Sequence, residues 1–423
     1  MPQALSYVYA PVVPEERIVV LDVLRGFALL GIILMNMEGY SMPWSAWAID
    51  PQPFQGPLDR AATLLIITLF AGKANAIFSF LFGVGLTIQL QRAASRGGSF
   101  VAMYLRRLAV LFLFGAVHSA LLLGGDVLHI YALLGLFLLP LRNASNRTIF
   151  VLIGLFMVLP MIRAAYAYFT QEPPIHPLPY YQAIAHADIT TFQSGTYAQQ
   201  IASRLRDIHE GYIESLPRLQ GWMWIYPSFG VTILLGLLAG RRRLFEDIAA
   251  HADTLRKVLR WCLGLGLGLG LTVALMFVFR PPPTELPTLF GYIAGTLFNL
   301  HRPLLCLAYI AAIALLFQRA RMRRLLLPLA SAGAMPLTNY LMQSILAGAL
   351  FYSHGLALFA TVGPALGLLL SLAIFAVQVA YSRWWLARFR FGPLEWLWRG
   401  AAYGKLSPLR RGLTVTLDTK SAA

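Results

Sequence analysis

His118 and Asp126 stand eight residues apart, separated by a tight Gly124-Gly125 turn, with His129 and Tyr131 close behind. A histidine beside a carboxylate supplies a general base and the group that orients it. A helical histidine is also often a hydrogen-bonded core residue, so contact between the two side chains decides the role. Asp22 and Arg25, three residues apart, share one helix face and can pair there. Arg302, in His301-Arg302-Pro303, interrupts a long apolar stretch, where a cation needs a partner or a water-filled cavity. Asn339, Tyr340 and Gln343 fall in another such stretch, placed to line a cavity or to bridge helices. Glu395 is the acid of a C-terminal piece, Ser382 to Arg399, that alternates tryptophans with arginines. That composition suits a helix lying on an anionic membrane surface.

The elements that must position these residues are membrane helices. Of the 423 residues, 58% are apolar and 12% charged, against a usual ~45–50% and ~25%. A soluble chain of this length could not cover its surface with so few charges. Apolar stretches at 18–37, 74–91, 102–123, 126–141, 148–169, 222–239, 258–279, 288–317, 333–352 and 358–381 predict an all-α bundle of about ten transmembrane helices. The segment 60–72 is apolar but short, so it is expected to be interfacial or re-entrant. The stretch 288–317 reads as one helix or as two meeting at Pro303.

The net charge of +16 would suggest nucleic acid in a soluble protein. Here its position argues otherwise. Arginines gather in every second loop: Arg92 to Arg107, Arg142 to Arg147, Arg241 to Arg260, Arg319 to Arg324, and the tail. The intervening turns are neutral or acidic. Short positive loops stay in the cytoplasm, which places both termini there and makes nucleic acid an unexpected partner. On this topology Asn36, Lys73, His118 and Asp126 share the outer side. Three regions follow: an N-terminal membrane half at 1–170, a periplasmic connecting segment at 171–220, and a C-terminal membrane half with a basic tail at 221–423. Oligomeric state is left open by these patterns.

Other motifs are set aside on chemistry. Gly264, Gly266, Gly268 and Gly270 alternate with leucine inside one apolar stretch, a spacing for close helix approach. They do not follow a strand and open a helix, so they are no dinucleotide fingerprint. Gly83 and Gly85 read likewise. No phosphate-loop lysine, metal-ligand spacing or serine elbow is present. Cys262 and Cys306 fall in separate spans and read as small packing groups. The first apolar run holds Asp22 and Arg25 and is expected to be retained as a helix, not cleaved as a signal.

In order along the chain come Leu21-Asp22-Val23-Leu24-Arg25-Gly26-Phe27, Phe78-Ser79-Phe80-Leu81-Phe82-Gly83-Val84-Gly85, Arg106-Arg107, and His118 followed by Gly125-Asp126-Val127-Leu128. Leu337-Thr338-Asn339-Tyr340-Leu341 with Gln343-Ser344, and Phe391-Gly392-Pro393-Leu394-Glu395-Trp396, follow. Over nearly the whole chain this resembles the YeiB-like family, which carries the domain of unknown function 418. One departure is Gly333-Ala334-Met335-Pro336, where the family usually has Gly-Arg-Met-Ala. The family is in turn similar to a wider group of transmembrane acyltransferases that share an Asp-x-Leu-Arg opening. Their catalytic histidine falls at the positions of Asn36 or Trp47 in this chain, neither of which is histidine. His118 is the nearest substitute on the same side.

The resemblance implies acyl transfer across the membrane, with no permanently bound cofactor, no metal, and acyl-CoA as co-substrate. The donor would dock against Arg25, Arg106 and Arg107, since arginine suits phosphate. His118 would act as base, Asp126 would orient it, and Asn36 would donate to the developing oxyanion. The acceptor would be an envelope glycan or lipid, in contact with membrane lipids at the outer face. A small-molecule or lipid transporter is the alternative, lined by Asp22, Lys73, His301 and Arg302. A non-catalytic envelope or signalling protein that uses 170–220 as a contact is the third.

Overall fold

The computed structural model describes residues 17–96, 100–218, 220–404 and 406–411. The extreme termini, including the end of the basic tail, lie outside them. Fifteen α-helices make up the described chain: α1 (Val19–Ser41), α2 (Pro57–Leu69), α3 (Lys73–Arg96), α4 (Phe100–Leu121), α5 (Leu128–Leu138), α6 (Asn146–Phe169), α7 (Leu178–Ser194), α8 (Tyr197–Ile208), α9 (Gln220–Arg241), α10 (Ala252–Val278), α11 (Leu289–Phe317), α12 (Ala320–Gly333), α13 (Pro336–Phe351), α14 (Pro364–Arg388) and α15 (Pro393–Tyr403). It is a polytopic helix bundle. Seven stretches among the described residues are long and apolar enough to cross a membrane, and α12 with α13 makes an eighth if that pair, bent by 75°, is one span. The apolar stretches expected at 126–141 and 222–239 correspond to shorter apolar helices, Leu128–Leu138 and Pro227–Arg241.

α1 sits at the centre, packed against α3, α11, α12, α13 and α14. Glycine lets its neighbours approach. A Cβ on Gly26 would come within 2.0 Å of the Leu329 carbonyl oxygen, and one on Gly333 within 1.9 Å of the Asp22 carbonyl oxygen. α3 and α9 interlock in the same way, with Gly83 against the Ile233 carbonyl oxygen at 2.1 Å and Gly236 against the Phe80 carbonyl oxygen at 2.0 Å. Of the alternating glycines in α10, Gly266 and Gly270 face α11 while Gly264 and Gly268 meet nothing, the four-residue spacing that close helix packing requires. Backbone cannot yield as a side-chain tip can. Gly83→Ala should therefore separate α3 from α9 and cost about 1–3 kcal/mol as overpacking, read as a lower thermal midpoint with Gly85→Ala, which faces only the tip of Gln89, as the near-neutral control.

α11 is one continuous helix of 29 residues that runs through Pro303. The segment 60–72 forms α2, which ends at a turn where Gly72 adopts φ +76°. That region of backbone space favours glycine, and a Cβ there would also strike the Arg302 side chain at 2.2 Å. Helix ends leave carbonyls without partners. Lys73 Nζ donates to the Ile67 carbonyl at 2.5 Å and Tyr309 Oη to the Leu69 carbonyl at 2.8 Å, so the broken end of α2 is capped by side chains.

The expected connecting segment at 171–220 is helical. α7, α8 and a π-helical turn at His209–Glu214 form a cap over one end of the bundle. Threonine and glutamine start α8 with a reciprocal capping box, Thr196 with Gln199. Tyr197 Oη donates to the Leu121 carbonyl at 2.7 Å, Gln193 Nε2 to the Phe359 carbonyl at 2.7 Å, and the Ser353 amide to the Phe192 carbonyl at 2.8 Å. These bonds tie the cap to the ends of α4 and α13.

Candidate active site

The end of α4 and the start of α5 meet under this cap. Gly115 makes the approach feasible, because a Cβ there would fall 2.7 Å from Asp126 Oδ2 and 2.4 Å from the His129 amide. Asp126 has no exposed surface and His118 only 1%. Their side chains touch, His118 Nδ1 to Asp126 Oδ1 at 2.8 Å. Asp126 also accepts from the Leu128 amide at 2.8 Å, the His129 amide at 3.2 Å and Tyr340 Oη at 3.2 Å, and His129 Nδ1 lies 2.9 Å from Oδ2. A buried charge is tolerated only when so paired.

The far nitrogen of His118 reaches a residue that the sequence marked only as part of the Gln343-Ser344 motif, with no chemical role. His118 Nε2 lies 2.7 Å from Ser344 Oγ, and Ser344 Oγ lies 2.8 Å from Tyr40 Oη. A carboxylate acceptor at Nδ1 fixes the proton on that nitrogen, leaving Nε2 as acceptor for the serine hydroxyl. Ser344 then donates to His118 and accepts from Tyr40. The result is a buried relay, Tyr40–Ser344–His118–Asp126, carried on α1, α13, α4 and the turn before α5. Hydroxyl, imidazole and carboxylate stand in hydrogen-bond sequence, the order found in a serine–histidine–aspartate constellation. Asn36 lies one turn before Tyr40 and within side-chain reach of its hydroxyl, so it touches the relay through Tyr40. His129 Nε2 faces Tyr212 Oη of the cap at 3.0 Å.

Ser344 and Tyr40 escaped notice because no local signature surrounds them. Ser344 is 226 positions from His118, and only the fold joins them. Its place in the Gln343-Ser344 pair was the one available signal.

The other candidates lie elsewhere. Lys73 is 1% exposed and caps α2. Arg302 bonds the Phe298 carbonyl and Asn299 Oδ1 in its own helix, with its guanidinium 4.4 Å from the Phe298 ring centre. Tyr131 donates to the Asn75 carbonyl at 3.0 Å. Asn339 and Gln343 bridge helices, Asn339 Nδ2 to Ser382 Oγ at 2.9 Å and Gln343 Nε2 to Gln378 Oε1 at 3.0 Å. At the opposite end, Asp22 joins Arg25 at 2.7 Å and also bonds Arg17. Arg107 lies 4.2 Å from the Trp398 ring centre and bonds Gln89. Arg106 sits close by, within 3.8 Å of where Gly404 would carry a Cβ. Glu395 of α15 is 6% exposed and bonds the first turn of α13. A cavity of about 650 Å³ opens at this end, lined by Arg17, Asp22, Arg324, Arg383 and Arg411 over Leu327 and Leu386.

Residues 239–405 match the model of the family described as protein of unknown function DUF418. The uncharacterized protein YxaH of Bacillus subtilis is 33% identical over 95% of this chain and 98% of its own length. The chain belongs to the YeiB-like DUF418 family. It is also similar to an uncharacterized 39.9 kDa protein of Bacillus acidopullulyticus, 30% identical over 94% of this chain and 97% of that protein. YeiB of Escherichia coli is 27% identical over 91% of this chain and 96% of its own length.

In the cap, Arg206 binds both Asp188 and Asp207 at 2.7 Å. Burial nonetheless pushes the Asp207 carboxyl up from 3.8 to about 6. The folded state therefore holds this proton more tightly than the unfolded chain does. Stability from Asp207 is fully present below about pH 4 and is lost as pH rises to about 6. Asp207→Asn should remove that decline, a difference that thermal unfolding across the same pH window will show.

Proposed function

We propose that this chain is a membrane acyltransferase of the bacterial cytoplasmic membrane. It takes an acyl group from acyl-CoA at the basic, cytoplasmic end and passes it to a hydroxyl or amine of an envelope glycan or lipid at the capped, outer end. The observation that carries the reading is the buried Tyr40–Ser344–His118–Asp126 relay. Ser344 Oγ attacks the acyl carbonyl while its proton passes to His118 Nε2; the thiolate leaves with that proton. Asp126 holds the imidazole and stabilises its charged form. An acceptor hydroxyl or amine then attacks the acyl-serine, returning a proton through His118 to Ser344. Asn36, within side-chain reach of Tyr40, would donate to the developing oxyanion.

The arginine-lined cavity supports a phosphate-bearing donor. Arg25, Arg106 and Arg107 do not line it: Arg25 pairs with Asp22 of its wall, and Arg106 and Arg107 border α15. For the serine attack the donor's thioester must reach Ser344, six residues along α13 from Thr338 at the basic end, about 9 Å at ~1.5 Å per residue. A transport path lined by Lys73, His301 and Arg302 has less support, since Lys73 caps a helix end and Arg302 bonds groups of its own helix. The test is transfer of labelled acetyl from acetyl-CoA into membrane glycan and lipid fractions. Label that depends on the wild-type chain supports the reading; equal labelling by His118→Ala membranes refutes the assignment of His118.

A further inference from the structure

Arg204 of α8 is 3% exposed, yet neither Nη1 nor Nη2 of its guanidinium has a hydrogen-bond partner. Its surroundings are aromatic. The guanidinium carbon lies 5.1 Å from the Tyr352 ring centre, 5.2 Å from Phe192 and 6.0 Å from Tyr197. These rings hold the cation in place by their faces, and the Tyr352 hydroxyl lies close enough to interact with it, but no carboxylate accepts from Nη1 or Nη2. The carboxylates nearby are already engaged. Asp188 accepts from Ser203 and Arg206, and Asp207 from Arg206, so both turn to the other arginine of α8. A buried guanidinium with idle donors carries a desolvation cost that an anion would relieve.

The space beside it is preformed. A cavity of about 20 Å³ is lined by Arg204, Tyr352, Gly39 and Gly124 together with the Arg206-bound carboxylates Asp188 and Asp207, room for one or two water-sized groups. Gly39 adjoins Tyr40, and Gly124 stands two residues before Asp126. The cavity therefore lies between the cap and the relay. Its size suits a carboxylate better than a phosphate, and the planar fork of arginine matches a carboxylate's two oxygens.

We infer that Arg204 is an anion-binding residue that holds a carboxylate of the acceptor under the cap, above the His118–Ser344 pair. The substrate class becomes an acidic acceptor, one whose hydroxyl or amine is acylated while its carboxylate is fixed on α8. This rests on the acyl-transfer reading for its purpose, but the binding itself does not.

The experiment uses the full chain in neutral detergent, with acetate as probe, inorganic phosphate as a competing anion, and chloride and acetamide as controls at matched concentration. Ligand that binds only the folded state raises the thermal midpoint with concentration. Acetate should stabilise the wild type, and neither control should. Arg204→Gln should weaken the acetate effect by about tenfold or more, while Arg204→Lys, which keeps the charge against the three rings, should retain part of it. His118→Ala should bind acetate as the wild type does. Loss of transfer in His118→Ala with acetate binding intact separates the two sites. Equal stabilisation by acetate in a folded Arg204→Gln, equal effects of acetate and chloride, tighter binding of inorganic phosphate than of acetate, or no acetate effect in wild type would each overturn the inference. Transfer that survives in wild type while acetate has no effect would overturn the anion site alone.

Discussion

His118→Ala should reduce acetyl transfer by roughly 10³-fold or more, and Ser344→Ala by a similar amount. The argument is geometric. Among the described residues, His118 is the side chain that bonds both Ser344 and Asp126, at 2.7 and 2.8 Å. Without it the serine has no base and the carboxylate no imidazole to orient. Residues that act as one unit lose activity together, so the double variant should fall little further than either single one. Single-turnover labelling would expose an acyl-serine directly, since Ser344→Ala should lose the protein-bound label. Asp126→Asn should keep the geometry but disturb the histidine tautomer, with a loss of up to about 10⁴-fold. If His118→Ala folds and transfers acetyl at the wild-type rate, the network is a bridge between α4 and α13 and nothing more. A melting midpoint close to wild type is the control that makes the comparison valid.

Glu395→Ala should be the most destabilising single change outside the core. Position 335, which precedes α13, would normally carry an oxygen to accept the amides of the first turn. Here it is Met335, which caps nothing. Glu395 arrives from α15 instead. Its Oε1 accepts from the Leu337 and Thr338 amides at 2.6 and 3.0 Å, and its Oε2 from Thr338 Oγ1 at 2.6 Å. Leu337 and Thr338 are 4% and 5% exposed, so water cannot replace the lost acceptor. Removing the shared acceptor leaves these buried neutral donors unsatisfied, at about 1–3 kcal/mol. Glu395→Gln keeps an oxygen for the amides and should lose less. Because α13 also carries Tyr340 and Ser344, the alanine variant should lose transfer as well as stability. Thermal unfolding with parallel labelling would show both; a midpoint unchanged by Glu395→Ala would end the capping argument.

Some of this was legible in residues alone. Apolar runs and alternating loop charge point to a multi-span bundle because a bilayer demands both, whatever the packing. The Asp22–Arg25 pair was readable because i and i+3 share a helix face, and α1 forms it. His118 with Asp126 was readable for a similar reason: eight residues across a Gly-Gly turn bring two helix ends together. The Leu337-Thr338 and Glu395 segments stood out as motifs, but not as partners, since 57 or more residues separate them. Lys73 and Arg302 drew attention as charges in apolar runs. Lys73 is spent on the broken end of α2, a break that hydropathy only hinted at as a short segment.

By itself, then, the sequence determined a helical membrane protein and placed His118 and Asp126 on either side of one tight turn. Those follow from properties that act along the chain: hydropathy over a turn or more, charge next to a span, and side chains a few positions apart. Tertiary structure decided which hydroxyl the base meets, which carboxylate caps α13, and which arginine is left with idle donors. These depend on where α1, α4, α8, α13 and α15 cross. The crossings are set by glycines such as Gly26, Gly83 and Gly115, whose missing side chains let backbones touch. Close approach of that kind joins residues hundreds of positions apart, and no periodicity records it.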